Sequence, residues 1–279
     1  MSVIIARIII ECRGERMKKK VILITVDGMR PDALFACGSP YTERLMKMGS
    51  YTLSAKSVYP SGTLPAHASV FHSAHPEAHG VVCNFYMTPK RETTSLCRVI
   101  KESGGKCAAY YSWEPLRDIT RPEELDVSFY LRGGIVASSD TVLAERMLRD
   151  IEELSCKFDF CFLHLGECDG EGHFYGWMSE NYLNCLRGAL ESVMKIIDRL
   201  GKDYTVILTA DHGGHDRRHG TDLDEDMTVP MFFIGEDFVG GCELSLPISL
   251  LDIAPTVASI MGLEKCAEWQ GKSLLGELK

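Results

Sequence analysis

Short apolar runs alternate with stretches whose apolar residues recur at spacings of three and four, and turn residues separate the two kinds of segment. The apolar runs predict strands near 21–26, 106–111, 158–164, 204–209 and 229–234. The helical spacing predicts helices over 40–48, 64–73, 138–155, 180–200 and 250–261. Strands alternating with helices in this way predict an α/β fold with a mostly parallel sheet. Residues 84–135 are the least periodic and contain Trp113, Pro115, Pro122 and the Gly133-Gly134 pair, so a small cap insertion over a site is expected there. With no repeat and no low-complexity linker, residues 21–279 are expected to form a single domain.

Residues 1–20 stand apart as an N-terminal extension. Its first apolar run is interrupted by Arg7 and is far shorter than the about 20 residues that span a bilayer, so no membrane anchor is expected. Met17, followed by three lysines and V-I-L-I-T-V, has the look of a start, and residues 1–16 are expected to be upstream sequence that is not native. An extra edge strand formed by I-I-A-R-I-I-I is the alternative.

Composition narrows the class. The chain has 279 residues, 45% hydrophobic and 25% charged, which suits a globular α/β protein. A net charge of -9 argues against binding a nucleic-acid duplex, because phosphate backbones are held by clustered Lys and Arg. Positive charge for any phosphate chemistry must then come from metals. The eleven cysteines include no C-x-x-C pair and are expected to be free thiols in the cytoplasm.

Candidate chemistry collects at strand ends. Asp27 follows the strand at 21–26, Asp169 lies just past 158–164, and Asp211 with His212 closes 204–209. Open α/β sheets bind ligands at this carboxyl edge. His173 in D-G-E-G-H and His219 in H-D-R-R-H-G add imidazoles. Carboxylate and imidazole without thiolate suit zinc first, with manganese also compatible, and two such ions can clamp the attacking and leaving oxygens at phosphorus. Turn acids remain the alternative for Asp211-His212. Thr63 precedes L-P-A-H-A-S-V-F-H and is expected to N-cap a helix, its hydroxyl at the positive end of the helix dipole. A hydroxyl placed there beside a cation is a candidate nucleophile, and a plain N-cap is the alternative. His67, His72, His75 and His79 are assigned no metal role, His215 is expected in an exposed loop, and His164 is expected to be a buried, hydrogen-bonded core residue.

Taken together, V-D-G-M-R-P-D, T-L-P-A-H with H-P-E-A-H-G, D-G-E-G-H, T-A-D-H-G-G and the tail D-I-A-P-T-V-A-S-I-M-G-L resemble the alkaline phosphatase superfamily, and most closely its type I phosphodiesterase and nucleotide pyrophosphatase branch. The resemblance runs from about residue 20 to the C-terminus. It implies a three-layer α/β/α sandwich and two divalent metal ions. Asp27, Thr63, Asp211 and His212 would surround one ion, and Asp169, His173 and His219 would hold the other. Thr63 would be the nucleophile, forming a phosphothreonine that water then hydrolyses. Asn84 would donate a hydrogen bond to a phosphate oxygen, with a turn asparagine as its alternative.

Two departures bear on the substrate. Leu64 stands where nucleotide pyrophosphatases commonly carry an aromatic residue that stacks on the base, and the chain is short for the branch. Phe85, Tyr86, Tyr110, Tyr111 and Trp113 are the candidates to replace the aromatic contact. The expected activity is cleavage of a phosphodiester or pyrophosphate bond in a small phosphorylated substrate. A phosphomonoesterase or phosphonate hydrolase using Arg117, Arg132 or Lys90 is the first alternative, and a non-catalytic phosphate-binding module the second. Oligomeric state is not legible in the sequence.

Overall fold

The run from Val21 to Val26 is wholly buried, which for a strand means neighbours on both edges and helices on both faces. A computed structural model describes residues 19–85, 93–132, 138–153 and 158–276 of the chain. The elements in order are β1 (Lys20–Val26), α1 (Ala33–Ala36), α2 (Tyr41–Met48), β2 (Ser50–Lys56), α3 (Thr63–His72), α4 (Pro76–His79), α5 (Leu96–Glu102), β3 (Cys107–Tyr111) and β4 (Val127–Tyr130). They continue with α6 (Ser139–Glu153), β5 (Phe160–Leu165), α7 (Glu167–Tyr175), α8 (Glu180–Leu200), β6 (Tyr204–Thr209), α9 (Asp224–Met227), β7 (Thr228–Ile234), β8 (Cys242–Glu243) and α10 (Ile253–Ile260).

The described strands form one sheet in the order β4-β3-β5-β1-β6-β7-β2-β8. Pairing is parallel from β4 through β6, and β7 runs antiparallel to both its neighbours. The sheet is thus mixed but mostly parallel, as the strand pattern implies. One helical group, with α6 packed on α8 and α2 on α8, covers one side, and a second, with α3, α5 and α10 in mutual contact, covers the other.

The five strands and five helices expected from periodicity all form, and three features differ. First, among the described residues of 84–135, β3 and β4 pair with each other and β3 pairs with β5, so these strands belong to the central sheet, with Tyr110 and Tyr111 buried in it. Second, β2 is too polar and β4, at four residues, too short to stand out, and both gain their order from their partners. Third, D-G-E-G-H is helical. The expectations for residues 1–16, and those on Tyr86, Lys90 and the Gly133-Gly134 pair, lie outside the described residues. No helix among the described residues is long and apolar enough to cross a membrane.

The aromatic core fixes the helix that carries Thr63. Phe71 on α3 meets Phe162 on β5 edge to face at 5.1 Å, and Phe160 at 6.1 Å. Phe162 is fully buried, so truncating it leaves a cavity beneath α3. Phe162→Ala is expected to cost about 3–5 kcal/mol in urea unfolding, and a loss below about 1 kcal/mol would show that α3 is held on the sheet by other contacts.

Candidate metal centre

The register of three adjacent strands assembles the site. β1 lies between β5 and β6, all three parallel, so their carboxyl ends emerge side by side. Asp27 follows β1, and Asp211 and His212 follow β6. β5 runs through Gly166 into α7, which places Asp169 and His173 one helical turn apart on one face. The periodic signal for α7 is weak because Gly170 and Gly172 interrupt it, but its N-terminus is capped from outside. The Asp140 carboxylate accepts hydrogen bonds from Gly166 N at 2.9 Å and Glu167 N at 3.1 Å.

The glycines of the motifs make room for one ring. Trp177 is buried, and its indole NH donates to Gly28 O at 2.9 Å. A Cβ on Gly172 or Gly214 would fall 2.7 or 2.2 Å from that indole. Three motif segments therefore close on Trp177 through residues without side chains, a role that motif spacing alone does not reveal. Arg30 Nη1 adds a bond of 2.9 Å to Gly214 O across the same junction.

At the centre, hydrogen-bonding capacity is mismatched. Nδ1 of His212 lies 2.8 Å from Gly213 O, Nδ1 of His219 2.8 Å from Ser61 O, and Nδ1 of His173 2.9 Å from Arg217 O. A backbone carbonyl only accepts, so each Nδ1 donates, and Nε2 is left as the atom that in a neutral ring turns a lone pair toward the site. What those lone pairs face are carboxylate oxygens. His212 Nε2 lies 3.3 Å from both Asp27 Oδ1 and Asp211 Oδ2, and Asp169 Oδ1 lies 3.4 Å from His173 Nε2 and 3.6 Å from His219 Nε2. Those same three oxygens are buried and lack a hydrogen-bond partner among the described residues. Thr63 Oγ1 is 3.3 Å from His212 Nε2. Acceptors converging on acceptors is the arrangement that a cation satisfies.

Two groups of candidate ligands fall within mutual reach: Asp169, His173 and His219, and Asp27, Asp169 and His212. The imidazoles of His212 and His219 stack at 3.7 Å, joining the two groups. All seven residues expected at the site, with Asn84, therefore lie in one region. Burial, followed by the Asp211 and Asp169 charges, pushes the Asp27 carboxyl well above its ordinary range. Asp169 also rises, chiefly through burial. Burial works against ionising Asp211 as well, but the surrounding His212, His67 and His164 outweigh it and hold that carboxyl low. His219 is lowered to about 4, first by burial and then by His212, which keeps its ring neutral.

Several expectations change in detail. Thr63 is the first residue of α3, and Gly62, with extended backbone, takes the N-cap position. The hydroxyl still sits at the positive helix end. Asn84 Oδ1 accepts from Leu64 N at 3.0 Å, which ties it to the first turn of α3 and leaves its NH2 as the donor end. His215 is not an exposed loop residue. It is mostly buried, with Nδ1 2.7 Å from the buried Asp226. His164 is buried as expected, but it also reaches Asp27 Oδ2 at 3.0 Å. His67 has both ring nitrogens engaged, with Thr63 O and Thr25 Oγ1, so it has no lone pair to offer a metal.

The site opens into a cleft of about 1410 Å³ lined by Thr63, Asn84, Trp113, Tyr130, Arg132 and Glu171 among others. The model of the family described as Type I phosphodiesterase / nucleotide pyrophosphatase matches residues 21–229. The chain belongs to this family. It is 26% identical over 227 residues to ectonucleotide pyrophosphatase/phosphodiesterase family member 1 of Mus musculus, a match that covers 73% of this chain and 25% of that protein. The chain thus spans about a quarter of that relative's length. Among solved structures, murine ectonucleotide pyrophosphatase / phosphodiesterase 5, in an inactive form in complex with AMP, superposes with a TM-score of 0.79 at 15% identity, covering 94% of this chain and 100% of that chain. A phosphonate monoester hydrolase from Silicibacter pomeroyi superposes with a TM-score of 0.76 at 14% identity, covering 94% of this chain and 76% of that one. These likenesses establish the family and its shared α/β fold.

Burial raises the Asp27 and Asp169 carboxyls above their ordinary range, so protons compete with a cation for these oxygens, and metal affinity should rise with pH as binding releases protons. Titration calorimetry in buffers of different ionisation enthalpy measures that release, and zinc uptake without it would contradict the arrangement. Saturating zinc is also expected to raise Tm over the chelator-treated protein by roughly 5–15 °C.

Proposed function

We propose that the chain is a two-metal hydrolase that cleaves a phosphodiester or pyrophosphate bond in a small phosphorylated substrate through a phosphothreonine at Thr63. The observation that carries this proposal is the convergence of unpartnered carboxylate oxygens and imidazole lone pairs beside the Thr63 hydroxyl. Asp27, Thr63, Asp211 and His212 would hold one cation, and Asp169, His173 and His219 the second, with zinc the best match to this donor set and manganese also compatible. Bound there, the pair would supply Lewis acidity that lowers the pKa of the Thr63 hydroxyl and neutralises charge on the phosphoryl oxygens.

The chain's own residues account for the rest. Thr63 Oγ1, fixed at the start of a helix packed on the sheet, attacks phosphorus, and the bond to the leaving-group oxygen breaks as the Thr63 oxygen–phosphorus bond forms. Water then cleaves the phosphothreonine. The Asn84 NH2 donates to a non-bridging oxygen, a contact that gains strength as charge builds there. Leu64 is only 3% exposed and cannot stack on a substrate. Trp113 and Tyr130 line the cleft and are the aromatic surfaces available to a nucleoside or another apolar leaving group.

Charge in the cleft favours the diester. Arg132 is the one Lys or Arg among the described lining residues, against Glu114, Glu167 and Glu171. Arg117 is engaged with Glu114 and Asp118, and Lys90 lies outside the described residues. Cys37, Cys97, Cys107, Cys161 and Cys168 are buried free thiols, which supports placing the chain in the cytoplasm.

With zinc or manganese supplied, bis-p-nitrophenyl phosphate should turn over faster than p-nitrophenyl phosphate, and a strong monoester preference would reverse the assignment. Thr63→Ala should lower turnover by roughly three orders of magnitude or more while the protein still binds metal. Unchanged turnover in that variant would exclude Thr63 as the nucleophile, and a wild-type protein that binds phosphate ligands without turning them over would mark a binding module.

A further inference from the structure

β5 reads F-C-F-L-H-L, and every residue in it is buried. A histidine in such a strand loses its hydration and is tolerated only if its ring nitrogens find partners. His164 finds two. Its Nε2 lies 3.0 Å from Asp27 Oδ2 and its Nδ1 lies 3.1 Å from Ser112 Oγ. The parallel register explains the first contact: Thr25 is opposite His164 and Val26 opposite Leu165, so Asp27, the next residue, emerges beside the His164 ring.

The donors can be assigned from the partners. With a cation on Asp27 the carboxylate is ionised and accepts only, so Nε2 carries the proton, and a neutral ring then accepts the Ser112 hydroxyl at Nδ1. The space around the pair is shaped for it. A Cβ on Gly166 would come within 2.4 Å of Ser112 Oγ and 2.9 Å of His164 Cε1, so this close approach needs glycine. The His67 ring meets His164 edge-on at 5.3 Å on another side and limits its rotation.

The consequence lies on the Asp27 carboxylate. One oxygen, Oδ2, is held by His164, and the other, Oδ1, is the unpartnered atom 3.3 Å from His212 Nε2. We infer that His164, oriented by Ser112, is a positioning residue that fixes the rotation of the Asp27 carboxylate and presents Oδ1 to a cation. This inference rests on Asp27 being a metal ligand, as proposed above. Nothing in β5 requires a histidine for packing, since Phe162, two residues away and on the same face, is an apolar side chain fully buried there. Outer-shell partners of this kind typically change metal affinity 10–100-fold when removed.

Zinc and manganese affinities measured by competition with a chromophoric chelator, on variants with native near-ultraviolet circular dichroism, test the inference without reference to turnover. His164→Leu, which keeps bulk and removes the donor, should weaken one of the two binding steps by about 10–100-fold and leave the other within a few-fold of wild type. His164→Gln, whose amide can still donate, should recover most of that loss. Ser112→Ala removes a single oxygen atom, leaves packing intact, and should weaken the same step by a smaller factor. Wild-type affinity in both His164→Leu and Ser112→Ala would overturn the assignment, as would a His164→Gln protein as weak as His164→Leu. A wild-type protein that takes up neither metal would instead remove the metal centre itself, a result distinguishable because the variants then never enter the comparison.

Discussion

Lone pairs that face lone pairs are the constraint around which this molecule is arranged. Three carbonyl-bound imidazoles and three carboxylates converge on one small volume, and none of the three unpartnered oxygens has a hydrogen-bond partner among the described residues. Leaving a buried carboxylate uncompensated costs several kcal/mol per group, even after relaxation. A fold tolerates such a cluster when something positive offsets it; the upward shift of the Asp27 carboxyl reflects the crowding of these charges, and a divalent cation would relieve it.

Holding repelling groups together requires a rigid frame. Parallel strands supply it, because side chains just past β1 and β6 are fixed by pairing that extends through the whole sheet. α7 supplies the rest, bringing Asp169 and His173 onto one face, with Asp140 satisfying its first amides. The junction between these pieces is closed by Trp177, whose ring occupies the room left by Gly172 and Gly214. Glycine in these motifs is thus a packing requirement as much as a turn requirement. Adding even a methyl group at Gly172 or Gly214 would force the indole to shift.

Much of this was legible in the chain because its causes are local. Apolar runs and helical spacing located the sheet and its main helices, and acids that directly follow apolar runs located the carboxyl edge. What could not be read depends on contacts between distant segments. S-Y-T-L-S-A-K has too little alternation to predict a strand, and β2 becomes one by pairing with β7. D-G-E-G-H has too many glycines to predict a helix, and α7 forms under a cap from a residue on α6. The irregular composition of 84–135 suggested a cap, whereas β3 earns a central place through its register with β5. His164 was readable as buried, but its contact with Asp27 follows from how β1 and β5 align. Thr63 was placed one position early because Gly62, with no side chain to signal a cap, begins the helix.

The charge balance of the centre bears on what an acidic chain can bind. Two divalent cations set against three carboxylates and three neutral imidazoles would leave a single net positive charge at the Thr63 end of the cleft. A diester phosphate carries one negative charge and neutralises that surplus. A monoester dianion would leave negative charge to be met by the cleft wall, where three glutamates outnumber Arg132. Desolvating that extra charge beside acidic side chains is unfavourable in the partly buried site, where Coulomb energies exceed those in water. Selection for the diester would then arise less from a group that recognises it than from the scarcity of cations around the metals. With cations bound, the negative charge of the whole chain would act in the same direction, since the metal centre would then be the principal positive feature that an approaching phosphate meets.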